Sequence, residues 1–499
     1  MPLPTTVTDA GISSKASTSA DFGDRFQSPT VRSLIGWGLG AVVSFHVAYE
    51  FFPPFMLVFL ICMYRVAHAR LRPQAMYAGW ALGLLIYGPQ LAFFWTIFGF
   101  GAVGLWLVLA TWLSVYLVLQ RFILLKWGPR IGALAAPFLW TGLEYFRSEL
   151  YHLRFSWLNV GYAFSPAPAH ALLPWLGMYG VGFLLMLLVA YFPFLRTATR
   201  REQAAWIVAL SAFVSFSLFL GTTASRKIAP LQQLKIAGVQ LEFPDEATVL
   251  AQLNNLLTQS PDAQLFVLSE YTFDGPVPAK IKQWCARNRK YLIAGGKEYL
   301  DATQTQFRNT AFVIGPEGSE VFMQVKAVPI QFFKDGLAAT EQKVWNSPWG
   351  KLGLSICYDL SYTRVTDKLV RQGAQAIIAP TMDVEEWGER QHRLHARVAP
   401  VRAAEYGIPI FRLCSSGISQ SVDRHGKVFA TAPFPGQEKF LTHTMRIPEN
   451  GALPLDRYLA WICVISCGAI FAWALLEPLF SNRHPLRAPH LTNLQNRRS

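Results

Sequence analysis

Three side chains of the kind needed to attack a carbonyl compound lie near the ends of apolar runs. The thiol of Cys357 and the carboxylate of Glu270 each follow a short run typical of a β-strand, and Lys326 follows Gln324-Val325. A side chain at the end of a strand reaches the rim of an α/β sheet, where ligands bind. There a thiol can attack a carbonyl once a carboxylate removes its proton, and a lysine can stabilise the resulting oxyanion.

Each of these residues also has a purely structural interpretation. Cys357 could be a small buried apolar side chain, Glu270 an exposed acid that begins a loop, and Lys326 an ordinary surface lysine. Glu, Lys and Cys nevertheless occur in that order, each at or near a strand end. The combination favours a nucleophilic site more than any single residue does.

The stretch 226–448 must supply the elements that position these side chains. Short β runs alternate in it with helical patterns, which predicts an α/β layered domain. The predicted strands are 234–241, 264–268, 291–294, 310–314, 352–356, 374–379 and 408–413. The predicted helices are 245–259, 278–289, 361–373 and 386–405.

Composition indicates that the rest of the chain is membrane-embedded. Of its 499 residues 52% are hydrophobic and only 15% charged, and the mean hydropathy is +0.26. A soluble chain averages about 25% charged residues, which argues against a purely soluble protein. The abundance of apolar residues excludes disorder for most of the length. A bilayer span needs about 20 apolar residues. The predicted spans are 33–49, 53–67, 76–97, 101–120, 131–147, 175–195, 203–222 and 457–480.

Basic residues in the loops orient these eight spans. Arginine and lysine cluster after spans two, four, six and eight, which all lie on one side if the spans alternate. The positive-inside rule makes that side cytoplasmic and places the α/β domain on the other side. The net charge of +14 is then explained by topology, and nucleic acid is not an expected partner. The predicted division is a flexible cytoplasmic tail 1–32, a bundle 33–225, an α/β domain 226–448, a linker and span 449–480, and a cytoplasmic tail 481–499.

Cysteine usage argues against a metal or disulfide framework. Six cysteines occur, and their spacing matches neither a zinc site nor a CxxC redox pair. The sequence also contains no glycine-rich phosphate loop and no clustered histidine set. We therefore expect no cofactor and no metal.

Several motifs resemble a known family over nearly the whole chain after the tail. The order and contexts of Glu270, Lys326 and Cys357 resemble the nitrilase superfamily. Other segments resemble the apolipoprotein N-acyltransferase family of Gram-negative inner membranes. They are 155–162, 175–181, Ile356–Asp359 and short pieces between Gln391 and Ser419.

The resemblance implies a fold and a set of site residues. The fold is a multi-span α-helical membrane bundle of about eight spans plus a nitrilase-like αββα sandwich. The catalytic set is Glu270, Lys326 and Cys357, with the backbone N–H of Tyr358 as a second oxyanion donor. The family's second acid is replaced by Phe332, and the nearest acid that could substitute is Asp335. Two further positions bear on the assignment: Asp359 stands where the family has glutamate, and Lys334 is the alternative lysine.

The activity implied by the resemblance is acyl transfer without a cofactor. A phospholipid donates a fatty acyl chain to Cys357 as a thioester, and the N-terminal amine of a diacylglyceryl-cysteine apolipoprotein accepts it. The implied location is the bacterial inner membrane, with the catalytic domain in the periplasm and the protein a monomer. Two other functions remain open: a membrane-tethered amidase or hydrolase with the same catalytic set, and a catalytically inactive membrane relative.

Overall fold

The computed structural model describes residues 30–69, 72–166, 169–195, 199–201, 203–204, 208 and 232–481. Helices lie on either side of an α/β domain along the chain. The described helices before the α/β domain are α1 (Val31–Glu50), α2 (Phe55–Val66), α3 (Arg72–Gln90), α4 (Phe93–Phe98), α5 (Gly101–Tyr145), α6 (Val160–Ala163) and α7 (Leu173–Leu195). After the α/β domain the last described helix is α13 (Asp456–Ser481).

Helix α5 is two helices joined by a sharp reversal. Gly128 has φ 81° and ψ 176°, a conformation that ends a helix and that glycine adopts without a Cβ clash. The amide of Gln120 donates to the carbonyl of Gly132 at 2.7 Å. Twelve residues of straight helix would separate these groups by about 18 Å, so the chain must fold back between them. The two spans predicted at 101–120 and 131–147 lie on either side of this reversal.

Four helical stretches in the described part of the chain are long and apolar enough to cross a membrane. They are Val31–Glu50, Gly101–Leu150, His170–Phe194 and Asp456–Glu477. The predicted span 53–67 corresponds to the shorter apolar helix α2, and 76–97 is divided between α3 and α4. The prediction at 203–222 lies outside the described residues, apart from single positions, as do most of tail 1–32 and nearly all of tail 481–499. The count of eight spans stays a prediction.

Two six-stranded sheets form the α/β domain, which confirms the predicted layered fold. The first has the order β12-β1-β2-β3-β4-β5 and the second β11-β10-β9-β8-β7-β6. In the first half of the domain the strands are β1 (Gln232–Val239), β2 (Leu265–Val267), β3 (Tyr291–Tyr299), β4 (Phe307–Ile314), β5 (Glu320–Val325) and β6 (Val344–Ser347). The remaining strands are β7 (Gly350–Leu354), β8 (Ala376–Thr381), β9 (Ile410–Cys414), β10 (Ser419–Val422), β11 (Val428–Ala432) and β12 (Phe440–Ile447).

Both sheets have the same plan, with three parallel strands at the centre and antiparallel strands outside. Strands β1, β2 and β3 are parallel, as are β7, β8 and β9. Side chains such as Ile236, Val267, Leu354 and Phe411 from both sheets form one buried core between them. The strands that sequence analysis missed, β5, β6 and β10 to β12, all lie outside the parallel centres.

Helices cover the outer face of each sheet. On the first sheet lie α8 (Glu246–Gln259) and α9 (Ala279–Asn288). Helix α8 begins where the Asp245 side chain accepts a 2.7 Å hydrogen bond from the amide of Thr248. In the second half of the domain, α10 (Thr363–Arg371) connects β7 with β8, and α11 (Glu389–Ala396) and α12 (Val398–Tyr406) lie between β8 and β9. The single helix predicted at 386–405 is thus two helices.

The helical layer of the second sheet packs directly on the membrane helices. Buried side chains of α12 and of α1, α5 and α7 belong to one hydrophobic cluster. Arg402 of α12 is fully buried and donates to the carbonyls of Leu360 (3.1 Å) and Ser361 (2.8 Å) and to the hydroxyl of Tyr162 (3.0 Å). It also pairs with Glu405. One guanidinium therefore ties the turn after β7 to α6.

Carboxylates cap the membrane helix α7 at an internal break. Gly177 has φ 65° and interrupts the helix. Just beyond it, the amide of Met178 donates to Glu405 at 2.7 Å and the amide of Tyr179 donates to Asp456 at 3.1 Å. Carboxylates at the N-terminus of a helix are stabilised by its unpaired N–H groups and its dipole. The α/β domain therefore supplies part of the cap of a membrane helix.

We expect Arg402→Leu to lower stability strongly, because it leaves Glu405 buried with part of its charge compensation removed. Removing one partner of a buried ion pair costs about 3–5 kcal/mol. Arg393 forms an exposed pair with Glu389 on α11, so Arg393→Leu is the matched control and should change little. The thermal unfolding midpoint of the full chain in detergent measures both. Equal midpoints for the two variants would contradict the structural role of Arg402.

Candidate active site

Strand ends of both sheets bring the three candidate residues together. Glu270 follows β2, Lys326 follows β5 and Cys357 follows β7. Cys357 has φ +51°, a left-handed conformation that costs about 1–3 kcal/mol for a residue with a Cβ and that often occurs at functional sites. At Gly295 of β3 an added Cβ would lie 2.5 Å from the Cα of Glu270. Only glycine allows the chain to approach that closely.

Lys326 lies between two carboxylates. Its Nζ is 2.8 Å from Oε1 of Glu270 and 2.7 Å from Oδ2 of Asp335. The amide of Asn309 donates to both acids, at 2.6 and 2.9 Å. The lysine side chain has no solvent exposure, whereas Lys334 is exposed. The structure thus places Lys326, and not Lys334, beside the other candidates, with Asp335 as its second acid.

The charges in this group determine the protonation states. Burial alone would lower the pKa of Lys326, but the carboxylates of Asp335 and Glu270 hold it well above its usual range. Burial opposes ionisation of Asp335, yet Lys326 keeps the pKa of that carboxyl below its usual value. Burial raises the pKa of Glu270, and Lys326 opposes the rise. Glu270 is therefore the more basic carboxylate of the two.

The Cys357 thiol is protonated at rest. Burial first, and then the negative charge of Glu270, raise the pKa of the thiol well above its usual value. The two groups contact the same residue, Met382: Sγ of Cys357 lies 3.7 Å from its carbonyl oxygen, and Oε2 of Glu270 accepts from its amide at 2.9 Å. Because the thiol is protonated, a base must remove its proton during attack, and Glu270 is positioned to be that base.

Asp359 connects the lysine loop with the cysteine turn. It is fully buried and accepts from the amides of Ala327 (3.0 Å), Val328 (2.7 Å) and Ile356 (3.3 Å). Burial raises the pKa of Asp359 to about 7, against the effect of the Ala327 amide. These contacts hold the segments that carry Lys326 and Cys357 in register. The geometry makes Asp359 a positioning residue.

Cys357 opens onto an apolar cavity. Its walls come from both parts of the molecule. The membrane part supplies phenylalanine, leucine and tryptophan side chains, including Phe94 and Trp157, and the α/β domain supplies Tyr358, Phe333 and Trp387. Phe98 of α4 packs against Phe333 with ring centroids 5.8 Å apart. A mostly apolar wall with a few polar side chains is typical of a ligand site.

Sequence analysis missed a second polar group at the same cavity. Asp383 and His395 line it together with Cys357. Asp383 follows β8, the strand beside β7, so the strand-end argument that selected Cys357 would have selected Asp383 as well. His395 and Arg412, which both contact Asp383, gave no signal of their own because only the fold brings them near.

Comparisons with known proteins cover both parts of the chain. The family described as apolipoprotein N-acyltransferase N-terminal domain matches residues 38–191, and the carbon-nitrogen hydrolase family matches 236–449. An apolipoprotein N-acyltransferase of Geobacter metallireducens is 23% identical over 75% of this chain and 80% of its own length. One from Azotobacter vinelandii is 24% identical over 85% of this chain and 91% of its own length. A solved structure, Saccharomyces cerevisiae Nit3, is 20% identical, with a TM-score of 0.38 over 44% of this chain and 92% of its own.

The chain combines apolar helices with a two-sheet carbon-nitrogen hydrolase domain that contains a buried cysteine, glutamate and lysine. This combination defines a membrane-bound member of the nitrilase superfamily. The two matched regions together identify one family within this superfamily. The chain belongs to the apolipoprotein N-acyltransferase family.

We expect Lys326→Ala to reduce formation of any covalent intermediate on Cys357 by at least about 10²-fold, as for removal of one oxyanion donor. Lys334→Ala is the control, since Lys334 is a neighbouring lysine outside the buried group. The initial rate of acylation of Cys357, followed by intact mass, compares the two variants. Normal acylation by Lys326→Ala together with loss in Lys334→Ala would reverse the assignment.

Proposed function

We propose that this chain transfers a fatty acyl chain from a phospholipid, through a thioester on Cys357, to the N-terminal amine of a diacylglyceryl-cysteine lipoprotein. One observation carries the proposal. The candidate nucleophile lies at an apolar cavity whose wall is shared by membrane helices and the α/β domain. A cavity of this kind suits an acyl chain better than a soluble amide. The names of the relatives agree with this chemistry.

In the first half-reaction Glu270 takes the proton of the Cys357 thiol as the sulfur attacks the ester carbonyl of the phospholipid. Lys326 and the backbone N–H of Tyr358 stabilise the oxyanion of the tetrahedral intermediate. When the carbon–oxygen bond breaks, Glu270 gives the proton to the departing lysophospholipid oxygen. The acyl group remains as a thioester. Asp335 keeps Lys326 charged throughout, and Asp359 keeps the two loops in place.

In the second half-reaction the amine of the lipoprotein attacks the thioester carbonyl. A carbon–nitrogen bond forms, the carbon–sulfur bond breaks, and the proton lost by the nitrogen restores the thiol. Thioesters react readily with amines, so these steps require no nucleotide. Both substrates are lipids, and a site next to the membrane helices shortens the path of each to Cys357.

The proposed location is the bacterial inner membrane, with the α/β domain on the periplasmic side. The supporting observations are the four helices that suit a membrane and the basic residues in alternate loops. The further spans predicted at 53–67, 76–97 and 203–222, and a reversal at Gly128, would complete a bundle of eight. We propose that the protein acts as a monomer, with a phospholipid and a lipidated apolipoprotein as its partners.

We expect the purified chain with phosphatidylethanolamine and a diacylglyceryl-cysteine peptide to yield the N-acylated peptide. Cys357→Ala should abolish the product, because Cys357 is the only thiol among the described residues that line the cavity. Cys285→Ala is the matched control: Cys285 is buried in helix α9 of the same domain, and its replacement should leave turnover unchanged. Product mass and free fatty acid are measured together.

The ratio of these two products tests the proposal against hydrolysis. Free fatty acid without acylated peptide would identify a hydrolase. Normal turnover by Cys357→Ala would remove the catalytic assignment. The absence of both products from the parent chain, with lipid delivery verified, would indicate an inactive relative.

A further inference from the structure

His395 lines the cavity and carries a ring nitrogen that the mechanism above does not use. The side chain is buried, and its ring stacks on Trp157 with centroids 4.6 Å apart and planes at 19°. Its Nδ1 lies 2.8 Å from Oδ1 of Asp383. Among the described residues, its Nε2 has no hydrogen-bond partner. A buried ring nitrogen without a partner, in a residue that lines a substrate cavity, indicates a contact made by the substrate.

Asp383 determines the tautomer of His395. Burial opposes ionisation of Asp383, but His395 and Arg412 hold the pKa of that carboxyl well below its usual range. Because an ionised carboxylate only accepts hydrogen bonds, the proton of the neutral ring is on Nδ1 and the lone pair is on Nε2. Burial lowers the pKa of His395 to about 4, although Asp383 opposes the shift. The imidazole is therefore neutral at pH 7.

Cys357 lies beside this pair. Sγ of Cys357, a ring nitrogen of His395 and a carboxylate oxygen of Asp383 are all within 4.8 Å of one another. The same three residue types also occur in zinc sites. Here the two oxygens of Asp383 are already occupied by His395, by Arg412 and by the Gln391 amide at 3.0 Å. A base held by a carboxylate next to a sulfur fits this arrangement better than a metal ligand set.

We infer that His395 receives the acceptor amine: its Nε2 accepts the N–H of the attacking nitrogen and then passes that proton to the sulfur of Cys357. The inference rests on the proposed function, and it concerns only the second half-reaction. As the nitrogen–carbon bond forms, the nitrogen becomes cationic and loses one proton to Nε2. As the carbon–sulfur bond breaks, the imidazolium returns that proton to the thiolate. No proton is gained or lost overall.

The two halves of the reaction then use different bases. Glu270 is paired with Lys326 and serves acylation by the lipid ester. His395 is held by Asp383 and serves aminolysis of the thioester. An imidazolium in this buried position gives up its proton easily, and the buried Cys357 thiolate takes one readily. The return of the proton to sulfur is therefore favourable.

The test separates the two half-reactions in the full-length chain. The protein in mixed lipid–detergent micelles is first acylated with phosphatidylethanolamine, and intact mass gives the rate of thioester formation. It is then mixed with a synthetic diacylglyceryl-cysteine peptide, and the loss of the acyl mass gives the rate of aminolysis. The variants are His395→Gln and, as matched control, His392→Gln.

His392 is a suitable control because it shares most of the surroundings of His395. It lies one turn away on α11, is buried and has its Nδ1 3.9 Å from Asp383. Its Nε2, however, contacts the carbonyl of Val384 at 3.1 Å, its ring stacks on Phe434, and it does not line the cavity. Its replacement therefore tests the loss of a buried histidine without the loss of the proposed proton acceptor, Nε2 of His395.

We expect His395→Gln to be acylated at close to the parent rate and to undergo aminolysis about 10²–10⁴-fold more slowly, the usual contribution of a general base. His392→Gln should keep both rates. In His395→Ala, added imidazole should restore aminolysis, because it can occupy the vacated space and act as the base. Normal acylation in the same sample shows that the variant has folded.

Three results would overturn the inference. One is unchanged aminolysis in His395→Gln. Another is an equal loss of both rates without rescue by imidazole, which would make His395 structural. The third is loss of acylation in His395→Gln alone, which would place the residue in the first half-reaction. Failure of the parent chain to form the thioester is a different result, since it contradicts the proposed function itself.

Discussion

The site depends on one buried cation held between two buried anions. Lys326 lies 2.8 Å from Glu270 and 2.7 Å from Asp335, and none of the three is stable there alone, because an isolated buried charge is strongly unfavourable. The loops after β2 and β5 must therefore close together for the group to exist. Asp359 then fixes the turn after β7 to the lysine loop. The closure of these loops and the chemistry of the site therefore depend on the same group of buried charges.

The junction with the membrane helices supplies much of the wall around this site. A soluble domain with the same residues would present Cys357 to water, whereas here α4 and α5 supply much of the wall of its cavity. The α/β domain is held there by a shared hydrophobic cluster and by the buried Arg402, which donates to the turn that carries the cysteine and to α6. Under the proposed function, access of the acyl chain and the position of the nucleophile therefore depend on the same junction.

Sequence patterns predicted the parts of this arrangement that are local. The apolar runs that precede Glu270 and Cys357 can be recognised in the sequence, because the centres of both sheets are buried parallel strands. The outer strands β5, β6 and β10 to β12 were missed because they are short or half-exposed. Asp335 could be named only as the nearest acid, because loop closure decides its partner. The pairing of Asp383 with His395 was not predicted, since it requires β8 and α11 to meet in space.

The thioester on Cys357 is tested most directly by the mass of the peptide that carries this residue, after incubation of the purified chain with phosphatidylethanolamine and no acceptor. We expect a gain of one fatty acyl chain, confined to Cys357 and removed by hydroxylamine, as expected of a thioester. An unmodified Cys357 in folded protein with lipid delivery verified would contradict it, because the buried nucleophile at the shared cavity would then not take its acyl group from a membrane lipid.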